Sequence, residues 1–555
     1  MTITALPTPP TRSDPATFAA RGDAFMTALP TFVAEANALA ATVSADQATA
    51  STAASNASAS QSAAASSASA ASTSAATATT KASEASASAS AASTSAANAS
   101  NSAASASSSA SAASTSAATA TTKASEASAS AAAASAIVLG VSTTLPVLRP
   151  TLNLNFASSQ AVDPRITFTR ASTATRYNAK GLVESVASGT PRIDYDPSTL
   201  ACKGLLIEEA RTNLLTYSEQ FDNAAWVKSD VTVTANTATT APDGSTNSVD
   251  KLVEAATTTG HLVKQLVTTT NTSPLTATVY AKAGERSSVV LQIQESTTFS
   301  RYAWVAFDLS AGTVGAVTSA GGAASSSASI STAGSGWYRC SVTTTLGGSD
   351  AGSQVCVWIG ANLSTYLGDI TKGLYIWGAQ LEAGFATSYI PTTSAQVTRA
   401  ADVATMTGTN FSSWYRQDEG SFVIEARGVQ GLSPSLVATD DGTSSNRTIL
   451  YTSGATIPTM RIVASGSEQI VSGSLGTVTV GAAFSVSFGY KINDCAGSVN
   501  GGVVASDATV TLPAGQTTLR IGANVSDSSQ INGHIARLAY FPKRLTSAEL
   551  QALSA

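Results

Sequence analysis

The sequence predicts a multidomain chain: an N-terminal α-helical segment and a long Ala-rich coiled coil, then all-β domains of jelly-roll or β-sandwich type. Three observations predict it. Residues 48–136 are almost wholly Ala, Ser and Thr, with a seven-residue period. A heptad of larger apolar side chains precedes them. After Pro146, short alternating runs of Val, Ile, Thr, Tyr and Trp replace the helical pattern. Of the 555 residues only 12% are charged, and the histidines are just His261 and His534. A histidine-rich metal site is therefore excluded. A net charge of −5 offers no basic footprint for nucleic acid.

Residues 1–46 form the first element. LPTPPTR is an extended, polyproline-like arm suited to docking in a partner's groove. Asp14 is placed to cap a helix with Pro15 at its first position. Phe18, Phe25, Phe32 and Leu39 recur every seven residues. Pro30 interrupts the hydrogen-bond ladder of a helix, so a second helix is expected to start there.

Residues 47–145 form the rod. AASTSAA recurs at 70–76, 91–97 and 112–118. Two alanine tracks run along the segment in alternating steps of three and four, broken only by Gln61. They give a left-handed seam whose core includes Ala71, Ala75, Ala92, Ala96, Ala113 and Ala117, continued by Val138 and Val141. Such a seam buries little area per residue, so it needs several chains to pack closely. About 90 helical residues make a rod of roughly 135 Å. The alternative is a flexible spacer. Lys81–Glu84 and Lys123–Glu126 decorate its surface.

The β region divides into a connector (146–214), one sandwich (215–400) and another (401–555). The last boundary follows YIPTT, which no central strand would carry. Strands are expected at TATVYAKA, VVLQIQES, YAWVAFDLS, WYRCSVTTT, QVCVWIG and GLYIWGAQLE, then at FVIEARG, TILYTS, FSVSFGY, CAGSVNG, TLRIGANV and IARLAYFPK. SAELQAL is a terminal helix capped by Ser547. The cysteines show no C-x-x-C spacing; Cys340 and Cys356 either meet across neighbouring strands or, like Cys202 and Cys495, stay free. No apolar run approaches the roughly 20 residues that span a bilayer, and MTITALPTPPTRSDP lacks the pattern of a secretory signal. Membrane insertion is not expected, and the chain is expected to assemble in a cytoplasm.

FTRASTATRYNAKGLVESVASGTPRIDYDPSTLACKGLLIEEARTNLLTYSEQFDNAAW resembles a recurrent segment of bacteriophage tail and head fibre proteins, and LYIWGAQLEAGFATSYIPTTSAQVTRAAD does too. The N-terminal LPTPPTRSDPATFAARGDAFMTALPTFVAEANALA resembles the attachment end of such fibres. Residues 215–395 resemble carbohydrate-binding jelly rolls, and 408–555 a concanavalin A/laminin-G-like sandwich. The resemblance implies a homotrimeric tail fibre with a trimeric coiled coil. Its N-terminus would hold other tail or virion proteins, and its β domains would bind host cell-surface polysaccharide. The expected location is the virion. The expected function is structural and receptor-binding, not enzymatic, with no cofactor. The alternatives are a head fibre or decoration protein, and a polysaccharide depolymerase.

Glycan binding needs an aromatic face beside polar groups. Trp414 and Tyr415, followed by Asp418 in FSSWYRQDEG, form the surface candidate. Trp304, Trp358 and Trp377 lie inside alternating strands and are assigned to the core. Asp194 and Asp196 share one strand face, about 7 Å apart at the backbone, and are weighed as an acid/base pair against turn chemistry. Asp440 and Asp441 are weaker candidates for a calcium ion, the alternative being a hairpin turn. His261 is assigned to solvent, and His534 has no evident partner.

Overall fold

A computed structural model describes residues 1–140, 146, 148–348, 352–469, 474–525 and 529–555, with side chains of 129–140 excepted. The chain divides into two units, Met1–Ile137 and Val138–Ala555.

One unbroken helix, Phe18–Gly140, spans 123 residues, or about 185 Å. It runs through Pro30, so the second helix expected there does not exist. Pro30 and Met26 are exposed, so water can serve the Met26 carbonyl that Pro30 leaves without a donor. Asp14 does not cap at Pro15; it accepts the Thr17 hydroxyl, and the helix begins a turn later. The N-terminal arm lies back on this helix. Thr4 donates its backbone N–H and its hydroxyl to the Glu35 carboxylate at 2.6 and 2.9 Å. Phe25, Phe32 and Leu39 are half-buried, while Phe18 is 43% exposed.

From Ala40 to Ser128 every residue is exposed, including Ala71, Ala75, Ala92, Ala96, Ala113 and Ala117. The low-complexity stretch is thus helical, and its two alanine tracks are open in the single chain. Serine and threonine hydroxyls fold back onto the carbonyl four residues earlier, as Thr52 does on Ala48 and Ser74 on Ala70, both at 2.9 Å. Such back-bonding slightly weakens a helix, which adds to the marginal stability of this segment as a lone chain. Lys81–Glu84 and Lys123–Glu126 pair at 2.7 Å in solvent. The side chain of Val138, and Val141 altogether, lie outside the described residues. By length and composition alone, Phe18–Ser128 is apolar enough to cross a membrane, which the sequence reading did not register.

The second unit holds two β sandwiches, one inserted in the other. The inserted sandwich packs a six-stranded sheet against a seven-stranded one. The first has the order Ala324–Thr332, Trp337–Thr345, Leu275–Lys282, Gly373–Ala383, Val249–Glu254, Val231–Thr237. The second runs Thr313–Val314, Tyr302–Asp308, Ser288–Glu295, Gly352–Ile359, Leu262–Thr268, Val227–Ser229, with Thr318–Ala320 also on Tyr302–Asp308. Between the sheets lies a core that includes Val279, Leu291, Phe307, Val342, Val357 and Leu381.

The host sandwich is assembled from both sides of this insertion. Its eight-stranded sheet combines Cys495–Val499, Ala483–Lys491, Glu419–Arg427 and Gly533–Phe541 with Cys202–Ile207 and Arg192–Tyr195. Leu152–Leu154 pairs with Gly533–Phe541, and Thr167–Thr169 with Val403–Thr407 in the opposite sheet. Residues 146–214 are therefore no separate connector: Leu152–Leu154, Thr167–Thr169, Arg192–Tyr195 and Cys202–Ile207 complete the C-terminal sandwich, while Ala174–Tyr177 and Val183–Val186 pair with each other. Gly204, at φ +102, sits where an added Cβ would meet the Ile535 carbonyl at 2.2 Å, so only glycine lets these strands approach. The chain enters the inserted sandwich through Arg211–Asn213 and leaves through Val397–Arg399, and these two segments pair antiparallel.

All four cysteines are free. Cys340 belongs to the core between the inserted sheets, while Cys356 is on the other sheet, so they do not meet across neighbouring strands. The terminal helix Ser547–Leu553 is capped by Thr546 in a reciprocal box with Glu549, not by Ser547.

Candidate functional site

On the seven-stranded sheet of the inserted sandwich, alternation sends Val289, Leu291, Ile293, Ala303, Val305, Phe307, Val355 and Val357 into the core. The intervening residues face away from it. Register places Lys264, Cys356, Gln292 and Trp304 in one row across four strands. Leu262, Trp358 and Val290 form the next row, and Leu266, Gln354, Gln294 and Tyr302 the row on the other side. Trp304, Trp358 and Tyr302 are half-buried; Leu266 is 64% exposed.

Gln292 lies at the centre. The Trp358 indole N–H donates to its Oε1 at 2.9 Å. Its own amide donates to Gln294 Oε1 at 3.2 Å, and Gln294 donates to Cys356 Sγ at 3.7 Å. Gln292 is 3% exposed and orients Trp358 from beneath, while the half-buried Gln294 keeps further donor and acceptor capacity for a ligand. Burial pushes the Cys356 thiol up to about 12, so it stays neutral. Trp358 is seated over Gly260, where a Cβ would meet Cζ3 at 2.4 Å. Gln354, Leu262, Val290 and Cys356 are buried, so what this face offers is the half-buried rings of Trp304, Trp358 and Tyr302 for the C–H side of a sugar and the Gln294 carboxamide for a hydroxyl.

The sequence reading put Trp304 and Trp358 in the core. The correcting signal was in the alternation itself: with Ala303, Val305 and Phe307 inward, Trp304 must point outward. Trp377 is a core residue as expected, along with Trp226 and Trp337.

Trp414 and Tyr415 are not a surface pair. Trp414 is 3% exposed, donates to the Asn410 carbonyl at 2.7 Å and packs edge-on against Phe411 and Tyr540. Tyr415 stacks on Phe411 with ring centroids 4.5 Å apart, and burial pushes its phenol up to about 12. The short helix Thr409–Ser412 leads both rings into the host core. Asp418 is exposed and ion-paired with Arg416. No stacking face is left there.

Asp194 and Asp196 have separate fates. Asp194 is buried, accepts the Tyr177 N–H at 2.7 Å, and lies 2.8 Å from both Lys203 and His534 Nε2. Burial raises its carboxyl, but His534 and Lys203 outweigh that and hold it at about 2. Asp196 closes a turn, accepting the N–H groups of Ser198 and Thr199. Asp440 is buried against Arg520 at 2.7 Å, and Asp441 accepts from Thr443 and Asn446. Among the described residues no cluster suited to a metal ion is present. His261 is not solvated: it is wholly buried, with Nδ1 2.6 Å from the Asp230 carbonyl oxygen.

No family model and no curated protein matches the sequence. Among solved structures, the chain is similar to the CBM40 of a Ruminococcus gnavus IT-sialidase, at 16% identity and a TM-score of 0.21, covering 25% of this chain and 84% of that one. It is also similar to Trypanosoma rangeli sialidase, at 11% identity and a TM-score of 0.23, covering 55% and 60%. A third likeness is to the LG1-3 region of the laminin alpha2 chain, at 12% identity and a TM-score of 0.19, covering 50% and 63%. These neighbours comprise a carbohydrate-binding module, sialidases and laminin-G domains. The expectation that the chain is not an enzyme is corrected on this point, because sialidases stand among its structural neighbours. A likeness this low assigns no reaction.

Proposed function

We propose that this protein is a fibre-type receptor-binding protein that engages bacterial surface glycan through the open face of its inserted sandwich. The observation that carries the reading is the placement of Trp304 and Trp358 on either side of Gln292 on that face. The fibre part of the reading rests on the resemblance of the N-terminal and connector segments to phage tail fibres. It is supported by the helix: nearly ninety consecutive exposed residues of Ala, Ser and Thr are marginal as a lone helix, and association of three chains along the alanine tracks stabilises them. Three copies of a weak glycan site also gain affinity through effective concentration. The N-terminal segment would then hold the particle-side partner.

The test is a glycan array with the full-length protein, repeated with Trp304→Ala and Trp358→Ala. Binding to a defined set of bacterial polysaccharides that both substitutions weaken supports the reading. Binding that neither substitution changes would remove this face from it.

A further inference from the structure

A second cavity, of about 190 Å³, lies where the outer face of the six-stranded sheet meets the host sandwich. Its lining includes Arg176, Tyr177, Asp194, Lys203, Glu208, Tyr280, Arg339 and Gln430, so it is rich in charge. Most of that charge is matched. Arg176 pairs with Glu184 at 2.8 Å, Lys203 with Asp194 at 2.8 Å, and Glu208 with Arg192 at 2.7 Å.

Arg339 is different. Its Nη2 donates to the Thr387 carbonyl at 2.7 Å and to the Thr278 hydroxyl at 3.3 Å, and its guanidinium lies 5.7 Å from the Tyr280 ring centroid. Among the described residues it pairs with no carboxylate. The buried Glu382 is committed to Thr387 and Gln380, and burial raises its carboxyl toward the neutral form. Glu382 and Glu208 act on Arg339 through space, but neither contacts it, so its guanidinium is the one cation lining the cavity that makes no ion pair among the described residues.

Beside Arg339 and the paired charges, the lining offers neutral hydrogen-bonding groups. The hydroxyls of Tyr177 and Tyr280 lie 3.2 Å apart, so one donates to the other and the second keeps its proton for a ligand. The Gln430 carboxamide has no side-chain partner among the described residues. One unmatched cation selects a monoanion, and planar guanidinium suits carboxylate. Hydroxyl and carboxamide groups around it suit a polyhydroxylated ring. The volume is below the about 300–1,000 Å³ of drug-sized sites, which fits one ring rather than a chain. Past Asn532 lies a second cleft of 660 Å³ that includes Phe385, Leu432 and Pro434, with room for the neighbouring residues of a glycan.

We propose that this cavity binds the carboxylate of an acidic sugar, a hexuronate-type residue of a polysaccharide, with Arg339 as its anchor. The site deepens the glycan-binding reading but is separate from the tryptophan face, so each can fail alone. The experiment is calorimetric titration of the full-length protein with glucuronate, glucuronate methyl ester, glucose and inorganic phosphate. Glucuronate is expected to bind, with at least tenfold weaker binding of the ester and of glucose. Arg339→Gln is expected to weaken glucuronate at least tenfold, and Tyr177→Phe, which keeps the charge, about threefold. Glu468→Gln, which breaks an exposed ion pair outside the cavity, is expected to leave it unchanged. Failure of glucuronate to bind, equal binding of the ester, or binding indifferent to both Arg339→Gln and Tyr177→Phe would overturn the proposal. Phosphate binding as tightly as glucuronate would overturn the sugar assignment. Should Arg339→Gln fail to fold, the ester comparison and Tyr177→Phe decide the matter.

Discussion

Arg170 and Asp402 meet at 3.1 Å with both side chains wholly buried, although 232 residues separate them. Arg192 shares the same carboxylate and reaches Glu208 at 2.7 Å, and Glu208 lies 3.5 Å from Arg399. This ionic knot sits beside the paired segments through which the chain enters and leaves the inserted sandwich. Asp402→Asn strands the buried Arg170 and leaves Arg192 with Glu208 alone, and the expected loss is about 3–5 kcal/mol. Urea unfolding of the full chain measures it. Glu468→Gln, which breaks the exposed Arg461–Glu468 pair at 2.7 Å, is expected to cost no more than about 1 kcal/mol.

Glycan affinity should fall when the open face loses a ring. Trp304→Ala is expected to weaken binding about tenfold, or about 1.4 kcal/mol. Gly260→Val should do the same without touching an indole, because its Cβ would displace Trp358. Biolayer interferometry on immobilised host polysaccharide reads both.

Stability should fall on acidification, and His534 should set where the fall begins. Burial holds its imidazole below the ordinary value of 6.5, so the neutral form belongs to the fold. A depressed value contributes stability fully above pH 6.5 and loses it as pH falls through the folded value. Asp194 has the same sign: its contribution is complete above 3.8 and is lost as pH falls through about 2. The thermal midpoint is therefore expected to drop between pH 7 and pH 5 in the native protein. In His534→Gln the slope over that interval should be shallower. Calorimetry at the two pH values checks it; parallel slopes would count against the imidazole.

The alanine tracks should tolerate no charge. Ala92→Asp with Ala96→Asp is expected to convert a trimer to a monomer and to lower helical ellipticity. Thr94→Asp with Asn101→Asp, on roughly the opposite side of the helix at about 100° per residue, should leave both unchanged. Light scattering and circular dichroism report the outcome. A native protein that is already a monomer would refute the seam.

Much of the architecture was legible because periodicity is local. The alanine-rich segment is helical, as its heptads indicated, and each predicted apolar run in the β region lies in a strand. What the sequence hid is non-local. Nothing near Leu152 or Cys202 announces that both pair with Gly533–Phe541. Consequently an insertion looked like a series of domains. Trp414 misled because a polar neighbourhood in sequence, SSWYRQDE, coincides with a helix that turns the rings inward. His261 and Asp194 each take a partner from a strand far along the chain, Tyr366 and His534, which composition cannot display.

The placement of Leu152–Leu154 against Gly533–Phe541 has a mechanical consequence. Tension along the chain from the N-terminal helix reaches this strand before any other described strand and is resisted by hydrogen bonds to the sandwich's last strand. The inserted module hangs from two adjoining cords, Arg211–Asn213 and Val397–Arg399, outside that load path. A pull on the chain ahead of Leu152 can thus strain the host sandwich while leaving the inserted one unloaded.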